Sequence, residues 1–418
     1  MNENKLAGDC FALPRGFHWT PVDEALAGLR ASLAPVVDTE RIASTKGAGR
    51  ILAEAPIAER SNPASTNSAV DGYGFAYASL DGSNGKLQIA AGRSAAGRPW
   101  KGTLPTGFAL RILTGATVPE GMDTVVLDED VELRGSAVEI PAGVKPGSNT
   151  RAEAEDVRRG QELLSAGKVI WPQDVALLTA SGVKEVSVRK TLRVAVLSTG
   201  DELRQLNCEI SPGQVYDANR PMILSIAARW GHAVVDMGTV EDDPGKLRLR
   251  LDRAVELADA VMVSGGASGG DEDHVSALLS REGILNFWRV AIKPGRPLAL
   301  SLWRGKPVIG LPGNPVAAFV CALIFGRPIL RTLAGGAWQE PIGYLVPAAF
   351  SKFKKRGRRE YLRARLDAHG RAESFRSEGS GLISGLSWSD GLVELADEAR
   401  TIQRGDIVKY IPYSNFGL

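Results

Sequence analysis

Cysteine is nearly absent from this chain: three in 418 residues, Cys10, Cys208 and Cys321, all far apart. An odd count at that spacing gives no disulfide framework, no Cys-x-x-Cys redox motif and no cysteine zinc site, so the three are read as reduced. Histidine is as scarce. His18, His232, His274 and His369 are scattered, with no His-Glu-x-x-His or paired-histidine zinc pattern. No apolar run reaches the roughly 18 residues of a membrane span, and Met1-Asn-Glu-Asn-Lys-Leu-Ala lacks the apolar core of a signal peptide. A cytoplasmic location without a membrane partner is expected. Net charge is only +2, which gives no reason to expect a nucleic-acid partner. The one basic run, Lys352-Phe-Lys-Lys-Arg-Gly-Arg-Arg359, is read first as a solvated surface loop, with anion or partner binding as the second reading. The eight tryptophans form no stripe. No Ser/His/Asp hydrolase order and no GxxxxGK[ST] nucleotide loop occurs.

What the chain has is punctuation. Lys293-Pro-Gly-Arg-Pro-Leu-Ala and Gly310-Leu-Pro-Gly-Asn-Pro315 are two Pro/Gly turns beside apolar runs. Proline fixes φ and glycine permits close backbone approach. The first turn therefore holds Lys293 and Arg296 where an oxyanion could sit. Upstream, Ser264-Gly-Gly-Ala-Ser-Gly-Gly270 runs into Asp271-Glu-Asp273. Glycine loop, acids and basic turn suit a phosphorylated, metal-assisted ligand.

The length predicts two to four domains. Residues 23–33 show helical spacing after Pro21. From about residue 76 to 140, short apolar runs separated by Gly and Pro predict a small β unit. It reads as an insertion, because the segment from Asn149 onward returns to the first one. From Leu192, strands and helices alternate: strands near 194–197, 233–237, 260–263, 287–292 and 307–311, helices near 221–230, 244–257, 275–281 and 315–330. That order predicts an α/β domain with a mostly parallel sheet and a ligand site outside the carboxyl ends of its strands. After Gly335 short strands return as a C-terminal β domain. The expected division is 1–69 plus 150–188, an elongated linking domain; 70–149, an inserted β lid; 189–334, a central three-layer α/β domain; and 335–418, a small β-barrel-like domain.

Taken singly, the motifs are ambiguous. Ser198-Thr-Gly-Asp-Glu-Leu203 either caps a helix or holds an anion and a metal through Asp201 and Glu202. Asp242 or Asp243 either caps the next helix or ligates. Asp71-Gly72 and Thr114-Gly115 read as turns when taken alone.

Together, Asn67-Ser-Ala-Val-Asp-Gly-Tyr, Arg111-Ile-Leu-Thr-Gly-Ala, Ser198-Thr-Gly-Asp-Glu-Leu, Val215-Tyr-Asp-Ala-Asn-Arg220, the glycine loop, Ile292-Lys-Pro-Gly-Arg-Pro and Gly310-Leu-Pro-Gly-Asn-Pro occur in one order. In this the chain resembles the molybdopterin molybdenumtransferase family, which is similar to the E domain of gephyrin. The resemblance implies a homodimer in which the β lid covers the partner's α/β domain. It implies insertion of molybdate into adenylylated molybdopterin with release of AMP, dependent on Mg2+, and other molybdenum cofactor biosynthesis proteins as partners. Carried over residue by residue, it implies catalytic roles for Asp71, Thr114, Asp156, Glu202, Asp242 and Asp273. Of these, Glu202, Asp242 and Asp273 would hold the metal. Ser264, Gly265, Gly266, Lys293, Arg296, Pro297, Arg363 and Ser380 would bind the pterin or molybdate. Three departures touch molybdate binding: Arg296 where lysine is usual, Ala317 where serine is frequent, and a missing glycine in Arg151-Ala-Glu-Ala-Glu-Asp156. A non-enzymatic pterin scaffold or carrier is the alternative, and the acids kept in every loop argue against it. An adenylyl transferase would not need the lid or the C-terminal domain.

Overall fold

The computed structural model describes residues 19–266, 274–295 and 297–418, with the backbone described over 284–289 and 297–298. Two compact units divide the chain, one formed by Met1–Thr39 with Arg189–Leu418 and the other by Glu40–Val188.

In the larger unit a six-stranded mixed sheet runs in the order Ala233–Val240, Arg193–Thr199, Ala260–Ser264, Lys306–Leu311, Pro297–Trp303, Ile284–Arg289. The first four strands are parallel, and the last two pair antiparallel. Val194 to Leu197 are buried throughout, as expected of a strand covered on both faces. On one face the helices Pro244–Leu257 and His274–Glu282 set Leu247, Leu251, Leu278 and Leu279 against Ala195, Leu197, Val261 and Val263. The spacing Leu247, Leu251, Ala254 is the apolar stripe of such a helix. Asp243 starts it, its Oδ1 accepting from the Lys246 N–H at 2.7 Å, with Pro244 in the first turn. This settles the cap in favour of Asp243 over Asp242. On the other face a helix comes close at Gly326, where an added Cβ would meet the Met262 methyl at 3.3 Å.

That helix, Pro315–Leu333, corrects one expectation. It has 19 residues and the length and apolar composition to cross a membrane, yet 83% of its apolar window is buried inside the fold. It reads as a core helix, interrupted by a π-turn over Ala322–Gly326. Cys321 lies within it, and burial pushes its thiol up to about 12. The strand Pro297–Trp303 was also unexpected. It forms a hairpin with Lys306–Leu311 through Arg304 and Gly305, both at positive φ.

The C-terminal sheet runs Ile292–Lys293, Arg359–Leu366, Gly391–Leu395, Ile407–Pro412, Tyr344–Pro347. Its first strand comes from the basic turn, with Ile292 opposite Arg359 and Lys293 opposite Glu360 in parallel register. The helix Val22–Ser32 is tied to this sheet by Asp23, which accepts from both Nη atoms of Arg359 at 2.6 and 2.7 Å. The basic run 352–359 is not simply a solvated loop. Lys354 is 1% exposed, its Nζ donating to the carbonyls of Lys355 and Glu398, and the Lys352 and Arg359 side chains are only 12% exposed. Lys352–Lys354 is a strand paired with Arg400–Ile402, and alternation along it turns 352 and 354 inward.

In the smaller unit a six-stranded sheet is ordered Thr124–Leu127, Gly72–Phe75, Phe108–Ile112, Lys86–Ser94, Ala137–Glu139, Glu132–Arg134. Two apolar clusters flank it, one around Phe75, Leu87 and Val138 and one around Leu110, Ile112 and Val125. Residues 67–68 pair with 150–151. A separate cluster joins Leu52, Ile170, Leu178 and Val188 around the helix Pro172–Ala180.

Candidate functional site

The parallel strands end at a wide cleft of about 780 Å³. Thr199 and Gly200 end one strand, Ser264, Gly265 and Gly266 another, and Gly313 to Pro315 follow a third. Gly265 must be glycine. It sits at φ +97° and a Cβ there would meet the Thr199 carbonyl oxygen at 2.4 Å.

Two loops of the cleft are joined by one amide. Asn219 Nδ2 donates to Ser264 Oγ at 2.9 Å and to the Gly313 carbonyl at 2.6 Å. Because a carbonyl only accepts, this fixes which end of the amide is nitrogen. Asn219 Oδ1 and Thr199 Oγ1, both buried, have no hydrogen-bond partner among the described residues. Both residues line the cleft. Buried polar atoms are normally satisfied, so these two are the polar atoms of the cleft with hydrogen-bonding capacity left over among the described residues. Ser264 is different: its hydroxyl is already engaged by Asn219 and by the Pro312 carbonyl. Beneath, Asp217 accepts from Ser198 Oγ, Thr239 Oγ1 and Arg220.

Glu202 and Asp242 also line this cleft. The loops that carry them are clasped together: the Asp242 N–H donates to Asp201 Oδ1 at 3.0 Å, and the Asp201 N–H to Asp242 Oδ2 at 3.3 Å. Asp273 and Arg296 lie outside the described residues. Among the described residues no cluster of three or more His, Cys, Asp or Glu forms a metal cage. Glu202 and Asp242 are nevertheless a carboxylate pair of the kind that suits magnesium, which keeps several waters and seldom uses an all-protein cage.

A second, smaller pocket of about 200 Å³ adjoins the same Gly310–Pro315 turn: Pro315 lines the cleft and Val316 the pocket. Lys293, Lys352, Arg363 and Glu378 line it. Gly295 at φ +102° closes the basic turn against Cys321, whose Sγ a Cβ would meet at 2.9 Å. Lys293 Nζ lies 2.6 Å from Glu378 and 3.6 Å from Glu360. Lys352 is 3.1 Å from Glu360 and also pairs with Glu378. Burial pushes the Glu378 carboxyl up, but hydrogen bonds from Lys293 and Lys352 outweigh this and hold it below the usual range. Arg363 is buried, and its guanidinium donates to the carbonyls of Leu382, Ser377 and Gly379 beside the Phe375 ring. The Ser380 carbonyl accepts from the Val316 N–H at 3.2 Å. Sequence reading missed Glu360 and Glu378, and reached Lys352 only through the second reading of the basic run. The spacing of Lys352 and Lys354 by two was the one available signal.

In the smaller unit Asp71 and Thr114 are brought together. Asp71 Oδ1 accepts from the Thr114 N–H and Oγ1, both at 2.7 Å. The backbone bond first, then the hydroxyl, holds this exposed carboxyl below its usual range. Asp156, also exposed, accepts from Asn62 Nδ2 at 3.0 Å.

Comparison with known proteins agrees with this geometry. Residues 20–182 match the MoeA N-terminal region (domain I and II), 195–332 a probable molybdopterin binding domain, and 346–413 the MoeA C-terminal region (domain IV). Gephyrin of Dictyostelium discoideum is 28% identical over 94% of this chain and 62% of its own length. The crystal structure of the molybdopterin biosynthesis MoeA protein from Pyrococcus horikoshii OT3 superposes with a TM-score of 0.80 at 26% identity, covering 95% of this chain and 100% of that one. The molybdopterin molybdenumtransferase of Haemophilus influenzae is 33% identical over 94% of this chain and 98% of its own. With likeness of that extent on both chains, the protein belongs to the molybdopterin molybdenumtransferase family.

Proposed function

We propose that this protein inserts molybdenum, supplied as molybdate, into adenylylated molybdopterin with release of AMP, a transferase step of molybdenum cofactor biosynthesis. One observation carries the reading. A wide, oxygen-lined cleft with unmet hydrogen bonds and a small lysine-lined pocket adjoin at neighbouring residues, Pro315 lining the first and Val316 the second. A large phosphorylated ligand and a compact oxyanion can thus be held side by side. Lys293 and Lys352 attract the oxyanion. The Thr199 hydroxyl and the Asn219 amide oxygen orient the larger ligand. Holding two reactants in register removes much of the entropic barrier to their meeting.

Magnesium belongs to this reading. Glu202 and Asp242, with Asp273 by sequence, would hold it. When bound it supplies charge neutralisation on the adenylate phosphates. The proposal also includes the four-part division at residues 69/70, 149/150, 188/189 and 334/335, with 70–149 as a lid and 335–418 as a barrel-like domain. It includes a cytoplasmic homodimer in which Asp71 and Thr114 reach the partner's cleft, which their exposed, hydrogen-bonded pairing supports. The purified protein, given adenylylated molybdopterin, molybdate and magnesium, should release AMP only when molybdate is present. No molybdate-dependent AMP release overturns the assignment.

A further inference from the structure

The two lysines of the pocket meet two carboxylates of unlike character. Glu360 lies on the strand Arg359–Leu366, and its side chain is 8% exposed. It is fixed by the sheet and lies 3.6 Å from the Lys293 ammonium and 3.1 Å from that of Lys352. Glu378 is 42% exposed and lies on the irregular segment between Ser374 and Ser384. That segment's backbone is anchored independently of the Glu378 side chain, by Arg363 at Ser377, Gly379 and Leu382 and by Val316 at Ser380. The side chain can therefore rotate out while the loop stays in place.

We propose that Glu378 is a tethered competitor for the oxyanion seat. Its carboxylate occupies the space between Lys293 and Lys352, and an incoming oxyanion must displace it. The proposal rests on the reading that this pocket takes an oxyanion. Its consequence is selectivity by charge. A tethered group competes at an effective concentration on the order of millimolar. A singly charged anion would exchange one negative charge for another and gain nothing. A dianion such as molybdate or sulfate brings twice the charge to the same two ammonium groups and can win the exchange. Glu378 thus sets a threshold that only dianions cross.

The test is calorimetric titration of the purified full-length protein with molybdate, sulfate and perchlorate. The parent, Glu378→Gln, Glu378→Ala and Lys293→Ala are compared, with thermal melting to check that each is folded. The parent should bind the two dianions and not perchlorate. Both Glu378 variants should bind molybdate and sulfate at least about tenfold more tightly and gain measurable perchlorate binding. Equal or weaker dianion binding by both folded Glu378 variants, with Lys293→Ala failing to bind, overturns the competitor while leaving the seat. No binding of any of the three anions by any variant overturns the oxyanion seat and the competitor with it.

Discussion

The cleft and the lysine pocket stand on either side of one turn and solve opposite problems. The cleft leaves Thr199 Oγ1 and Asn219 Oδ1 without partners among the described residues. The pocket has its lysines already matched with Glu360 and Glu378. A site with unmet polar atoms gains hydrogen bonds when its ligand arrives. A site with matched charges must exchange partners. Under the proposed function, the difference teaches that shape and hydrogen bonding would decide recognition in the cleft, whereas relative charge would decide it in the pocket.

The largest effect that sharpens this comparison is expected at the cleft's acids. Glu202→Gln keeps an oxygen but loses the charge. AMP release should fall by more than the roughly 10–100-fold that disturbing an outer-shell partner of a metal costs, with an unchanged melting temperature. Parent-like turnover at every magnesium concentration would remove Glu202 from metal binding. Next comes the pocket. Lys293→Ala deletes a charge-assisted contact of about 1.5–3 kcal/mol. It should raise the molybdate concentration needed for half-maximal AMP release, with little change in the concentration needed of the pterin. An equal rise for both ligands would mean that the two sites are not separable.

A smaller effect separates neighbouring acids. Asp243→Asn should melt like the parent, since Asn caps as well as Asp, while Asp243→Ala should lose about 1 kcal/mol. Asp242→Asn should instead change magnesium dependence. If Asp243→Asn alters turnover, cap and ligand have been confused. The smallest effect lies in the other unit. Thr114→Val keeps the backbone donor to Asp71 and removes the hydroxyl. The Asp71 titration, followed by NMR, should move up towards an ordinary aspartate without reaching it. The sign follows from linkage: with a depressed folded value, the interaction is present above the unfolded pKa and is lost as pH falls through the folded one. An unmoved midpoint would show that the hydroxyl contributes nothing.

Much of the cleft was legible because its residues are local to turns. Strand, glycine loop and acid follow one another within a few positions, and the strand-end rule gathers them. The helix Pro244–Leu257 was legible for the same reason, from its apolar period and its proline start. The pocket was not legible. Lys293 and Glu378 are 85 residues apart in sequence, and their meeting depends on the register that sets Lys293 opposite Glu360. The basic run misled because its charge count suggests solvation, whereas alternation along a strand turns Lys352 and Lys354 inward. The strand Pro297–Trp303 was overlooked because its opening Pro297 belongs to a motif that reads as a turn. Asp273 and Arg296 lie outside the described residues, so the motif alone speaks for them.

The short strand Ile292–Lys293 has one more consequence. By pairing in parallel with Arg359 and Glu360, it closes a strand edge of the C-terminal sheet with chain from another part of the sequence. A fragment made of residues 335–418 alone would leave that edge open, and an open edge is a template for intermolecular strand pairing. Such a fragment would lack a pairing supplied by a dipeptide that lies more than forty residues before it begins.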